Sequence, residues 1–119
     1  MNDIDFIKKC CEYADGFYID GDLIVYPDMS NEPLKDFVYY SAKGVKNAER
    51  IIYPLLLQRA IEGVNRGDGY LIFQSFSEIR IEHNENHSFE EYYLFENYSS
   101  VDQAKRKALE CVFSQEEQI

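Results

Sequence analysis

A chain of 119 residues is the size of one domain, and folding at that size buries roughly 65% of the unfolded chain's surface, so a core needs neither disulfide nor metal staples. Hydrophobic residues make up 45% and aromatics 15%, with ten Tyr and eight Phe, which excludes a disordered chain. The net charge of −10, from 22 acids against 12 bases, sets the molecule against phosphate: nucleic-acid and anionic-membrane binders use Lys and Arg, and this chain would repel both targets.

No apolar run reaches the roughly 18 residues that span a bilayer. The start, Met1-Asn2-Asp3-Ile4-Asp5, is acidic and lacks the basic and apolar regions of a secretory signal. Three cysteines is an odd count, and Cys10 and Cys11 are adjacent, a poor geometry for bridging one another. A reduced, cytoplasmic protein is the expectation. The acids are also unevenly placed. Six lie between Lys9 and Lys35 with no base among them, and six more lie between Arg80 and Lys105, again with no base. Such stretches read either as a solvated acidic surface or as a face that docks a basic partner.

In chain order, Asn2 or Asp3 can cap a first helix over residues 3–15, whose Phe6, Ile7, Cys10, Cys11 and Ala14 recur at helical spacing and which Gly16 would stop. Phe17-Tyr18-Ile19 and Leu23-Ile24-Val25-Tyr26 flank Asp20-Gly21, a hairpin signal because both turn positions favour positive φ. Residues 28–36 carry Ser30, Asn31 and Pro33 and read as a loop; Phe37-Val38-Tyr39-Tyr40 reads as a third strand. The most apolar element follows. From Pro54 onward Leu56, Leu57, Ala60, Ile61 and Val64 recur at steps of three and four, leaving Gln58, Arg59 and Glu62 as a narrow polar stripe. Proline is comfortable only in a helix's first turn, so the expected central helix is Pro54–Asn65.

Beyond Gly67-Asp68-Gly69 the period changes to two. Residues 70–74 read as a strand. Glu78-Ile79-Arg80-Ile81-Glu82 alternates polar outside and apolar inside. Residues 83–88 form a polar loop, and residues 89–96 a further, bulged strand. Ser99 or Ser100 caps a last helix with Val101, Ala104, Ala108, Cys111 and Val112 as its apolar stripe and Lys105, Arg106 and Lys107 on its wet side; the tail 114–119 should fray. The expected fold is a single α+β domain over residues 1–119, with one antiparallel or mixed sheet of about five to six strands and three helices.

Chemistry-bearing patterns are sparse. His83-Asn84-Glu85-Asn86-His87 suggests a metal pair, but chelation at this spacing belongs to helices and a structural site needs about four ligands. Asp20-Gly21-Asp22 lacks the later ligand positions of a calcium loop, which Leu23, Ile24 and Val25 occupy. The cysteines fall in or beside apolar helical stripes, which favours inert thiols, and no nucleophile is spaced with an oriented base. No phosphate-cradling loop is present: Gly63, Gly67 and Gly69 follow a helix instead of opening one. No cofactor is expected. Tyr92, Tyr93, Phe95 and Tyr98, interleaved with acids, suit an interface, because aromatics bury much area at low entropy cost, although core packing would explain them equally.

Two phrases carry a family resemblance. Tyr53-Pro54-Leu55-Leu56-Leu57-Gln58-Arg59-Ala60-Ile61-Glu62-Gly63-Val64-Asn65 resembles a stretch found in short uncharacterised phage and prophage proteins, and Ala104-Lys105-Arg106-Lys107-Ala108-Leu109-Glu110 is similar to one as well. The resemblance implies a viral or mobile-element origin and brings no activity or site with it. The expected function is a non-enzymatic, acidic protein-binding module, a phage-encoded modulator or immunity-type inhibitor of a basic host protein. Its interaction surface would be drawn from Asp15, Asp20, Asp22, Glu85, Glu90, Glu91, Tyr92 and Tyr98. The alternatives are a self-associating subunit, such as a homodimer joined at a sheet edge, and a small metal-dependent protein using His83 and His87.

Overall fold

The computed structural model describes residues 1–43, 47–67, 69–83 and 90–116, without the side chains of residues 42, 43, 47–50 and 90. It is an α+β structure that divides into two compact units, Met1–Ala60 and Ile61–Ile119. Among the described residues, four helices and two separate three-stranded antiparallel sheets replace the one larger sheet and three helices expected.

The first unit opens with α1 (Asp3–Tyr13), where the Asn2 side chain accepts from the Asp5 amide at 2.8 Å and two acids sit at the positive end of the helix. Strands β1 (Tyr18–Asp20) and β2 (Leu23–Val25) form the expected hairpin, but the register pairs Asp20 with Leu23. The two-residue turn is therefore Gly21-Asp22, with Gly21 at φ +59°, a conformation an L side chain resists. A second turn follows: Met29 N–H donates to Tyr26 C=O and Tyr26 N–H to Ser30 C=O, both at 2.9 Å, with Pro27 at the second position of the turn and Met29 at φ +72°. It returns the chain as β3 (Asn31–Pro33), so the sheet runs β1-β2-β3.

At Leu34 the structure departs from the sequence reading. Residues 34–43 are α2 (Leu34–Lys43), so Phe37 to Tyr40 is helical and not a strand. Leu34 and Phe37 are buried three residues apart, and Pro33 immediately precedes the helix, where its fixed φ and missing N–H are tolerated. Burial of that face against α1 and the sheet outweighs the β preference of Val38, Tyr39 and Tyr40. An aromatic series, Phe17, Tyr26, Phe37 and Tyr53, links the elements of this unit with successive ring centroids 6.2, 5.9 and 6.5 Å apart.

The long helix α3 (Asn47–Arg66) encloses Pro54 instead of starting at it, and the boundary between the units falls within it. Proline there removes one backbone hydrogen bond at a cost of roughly 3 kcal/mol. The helix absorbs this because Leu56, Leu57, Ala60, Ile61 and Val64 are all buried, at about 1.5–3 kcal/mol for each large aliphatic.

In the second unit, Asn65 at the end of α3 ties itself to β4 (Tyr70–Gln74) through both amide atoms: Nδ2 donates to Ile72 C=O at 3.0 Å and Oδ1 accepts from Ile72 N–H at 2.6 Å. Strands β5 (Glu78–His83) and β6 (Glu90–Leu94) complete the sheet in the order β4-β5-β6. His83 is thus the last residue of β5, not the start of a loop, and Phe95–Asn97 is a 3-10 turn. The final helix α4 (Val101–Glu116) is held by a reciprocal cap, with Gln103 N–H to Ser100 Oγ at 3.2 Å and Ser99 N–H to Gln103 Oε1 at 3.1 Å. It buries Ala104, Ala108, Leu109, Val112 and Phe113, whereas Val101, expected in the stripe, is exposed. The helix continues through residues 114–116, where fraying was expected, and residues 117–119 lie outside the described part.

Candidate protein-binding surface

The register of the second sheet sorts its side chains into two faces. Ile72, Ile81 and Glu91 form one row and Gln74, Ile79 and Tyr93 the next, on the face toward α4. On the opposite face Phe73, Arg80 and Tyr92 lie in line across the three strands, with Glu82 beside Leu71 and Glu78 beside Leu94. Ile72, Ile79 and Ile81 are buried, while Phe73 is 41% exposed, Tyr92 51% and Leu94 38%. At the β4–β5 turn the Ser75 hydroxyl accepts from the Ser77 and Glu78 amides, at 3.3 and 3.2 Å, and Phe76 stands at the tip 97% exposed. A phenylalanine that contributes nothing to packing, in a turn that its neighbours hold by hydrogen bonds, is an unusual use of an aromatic residue.

Arg80 is held within this face. Its guanidinium carbon lies 4.6 Å from the Phe73 ring centroid, and Nη2 meets Glu82 Oε2 at 3.1 Å. Its Nε is buried without a hydrogen-bond partner among the described residues. Phe73, Gln74, Ser75, Glu78 and Arg80 line a shallow cleft of about 170 Å³. Electrostatically the face belongs to the more acidic half of the chain. Residues 61–119 hold 12 acids against five bases, a net of −7 out of −10, and between Arg66 and Lys105 eight acids meet the single base Arg80.

The residues expected at an interface are distributed over both units. Asp15, Asp20 and Asp22 are exposed in the first unit, around the turns that flank β1. The backbone carbonyl of Asp15 accepts from Arg59 Nη1 at 2.9 Å and that of Asp22 from the Leu34 amide at 2.8 Å, so both positions also serve the fold. In the second unit Tyr92 belongs to the open face, but its neighbour Glu91 is exposed on the opposite face, as strand alternation requires. Tyr98 is half-buried, 6.5 Å from the Tyr93 ring. Glu90 lies in β6 with its side chain outside the described part, and Glu85 and His87 lie outside it altogether. Tyr39 is exposed and stacks edge-on against Tyr40 at 5.2 Å.

The sequence reading missed Phe73, Phe76 and Leu94. Arg80 was legible as outward-pointing from the alternation of residues 78–82, and the facing register would have carried Phe73 to the same side. Toward α4, a hydrogen bond joins Tyr93 and Cys111: burial, that hydrogen bond and the charge of Glu91 hold the Tyr93 hydroxyl well above the usual phenol range. Burial raises the Cys111 thiol, and burial pushes the Cys11 thiol up to about 12. His83 packs edge-on against Tyr70 at 5.1 Å. Among the described residues no three His, Cys, Asp or Glu side chains are grouped to hold a metal, and no helix is long and apolar enough to cross a membrane. Compared with protein-family models, with curated proteins and with solved structures, the chain finds no match in any of the three.

Proposed function

We propose that this chain is a non-enzymatic protein-binding module whose partner is a basic protein. The observation that carries the reading is the charge distribution of the second unit, where eight acids between Arg66 and Lys105 meet one base. That base, Arg80, is already engaged by Glu82 and by the Phe73 ring. A surface so biased attracts a cationic protein from a distance and rejects phosphate-bearing ligands. The elevated thiols of Cys11 and Cys111 favour packing over nucleophilic chemistry. In keeping with the resemblance of Tyr53–Asn65 to phage and prophage proteins, the partner is a basic host protein whose phosphate-binding surface the module covers, or a basic toxin that it inhibits. Cytoplasmic residence follows on this reading.

The test is capture by a tagged chain from source-cell lysate at low and raised salt, with mass spectrometry of what is retained. The reading predicts a single basic protein that is lost as salt rises. Retention of untagged copies of the chain alone would favour a self-associating subunit. Retention of an acidic protein with no salt dependence would end the charge argument.

A further inference from the structure

The open face of the β4–β6 sheet carries exposed aromatics beside two carboxylates. Phe73, Tyr92 and Leu94 are part-exposed on one sheet face, and Phe76 is almost wholly exposed at its rim. Glu78 and Glu82 point to the same side. Arg80 lies between Phe73 and Tyr92, so this face alternates apolar and charged groups, the composition of an interface and not of a buried core.

Resting on the reading of a basic protein partner, we infer that this face is where the partner docks, and that its occupant is an extended segment combining arginine or lysine with a large apolar side chain. Three observations favour that occupant. The apolar component fits Phe73, Tyr92 and Leu94, the kind of side chains that anchor interfaces. The cationic component is answered by carboxylates on the same face and by the −7 balance of residues 61–119. The chain also shows the recognition mode within itself, because Arg80 lies on the Phe73 ring and pairs with Glu82, the two contacts a partner's guanidinium would make with Tyr92 and Glu78. A second copy is a poorer occupant, since it would bring the same excess of acid to the same face. The cleft of about 400 Å³ in the first unit suits a basic partner less, since Lys8 and Lys35 there outnumber Asp22.

The experiment offers the immobilised full chain a displayed library of random short peptides and follows the recovered sequences with surface variants. The expected result is enrichment of sequences with at least one arginine or lysine and one aromatic or large aliphatic residue. Their binding should weaken as salt rises and fall about tenfold in Phe73→Ser, Tyr92→Ser and Phe76→Ser, with Glu12→Ser, on the exposed side of α1, unchanged. Phe76 packs against almost nothing, so Phe76→Ser keeps the test decisive if a strand variant loses its fold. Recovery of salt-sensitive basic peptides that bind all three variants as well as wild type would overturn the docking face and leave the basic-partner reading standing. Recovery of no basic sequences would remove that reading and the inference together. Concentration-dependent dimerisation of wild type, abolished in Tyr92→Ser, would replace the partner with a second copy.

Discussion

At the scale of single residues, Asn65 supports more structure than its exposed position suggests. Both of its amide atoms bond the backbone of Ile72, on the edge of β4 that β5 leaves open. Asn65→Ala strips partners from an N–H and a C=O at once, which should destabilise the fold by about 1–3 kcal/mol. Asn65→Asp should also destabilise, because a carboxylate cannot donate to the Ile72 carbonyl. Chemical denaturation of both variants checks this; wild-type midpoints would show that the contact is dispensable. The thiols make a second prediction. With Cys11 pushed up to about 12 by burial, its alkylation in the native chain at mildly alkaline pH should be at least about a hundredfold slower than for an unperturbed cysteine of pKa about 8.5, and Cys111, raised in the same direction, should also be slowed. The sign follows from the thiolate being the reactive form, whose population burial suppresses. Reaction at the free-thiol rate would reopen a nucleophilic role.

Among elements, α3 shows tertiary packing overruling a local rule. Proline at position 54 argued for a helix beginning there, yet the helix extends from Asn47 to Arg66 around it. Removing the proline should therefore stabilise: Pro54→Ala restores the backbone N–H and relieves the ring clash, a gain of roughly 1–3 kcal/mol. Thermal unfolding measures it, and a lowered midpoint would mean that the Pro54 ring packs better than it clashes. The same competition explains what the sequence revealed and what it did not. Helices α1 and α4 were legible because caps and apolar spacing agreed, as at Asn2 with Asp5 and at Ser100 with Gln103. The hairpin was legible from its Asp-Gly pair, although the register moved the turn by one residue to Gly21-Asp22. Residues 34–43 were not, because Phe37-Val38-Tyr39-Tyr40 prefers strand locally and becomes helix only through the burial of Leu34 and Phe37. The open face was half legible. Alternation in β5 announced Arg80, but the continuous apolar run of β4 does not say which of Leu71, Ile72 and Phe73 turns outward until it is paired.

Over the whole molecule the distribution of charge carries more information than its total. The first unit is nearly balanced, with ten acids against seven bases, and the second is not, with 12 against five. In the second sheet Phe73 and Tyr92 stand exposed among carboxylates. A module that captures a basic protein needs a long-range field to steer the encounter and a small apolar area to hold the docked pair. On the proposed reading the second unit supplies both.

The most direct test of this account is the association rate of a recovered basic peptide with wild type and with two charge-reversed chains, measured across a range of salt. One variant replaces Asp15, Asp20 and Asp22 by Lys in the first unit, and the other replaces Glu85, Glu90 and Glu91 by Lys in the second. The second-unit variant should associate about tenfold more slowly at low salt, with the difference closing as salt screens it, and the first-unit variant should stay closer to wild type. If both triple variants associate as fast as wild type at low salt, the acidic surface plays no part in recognition and the central claim is wrong.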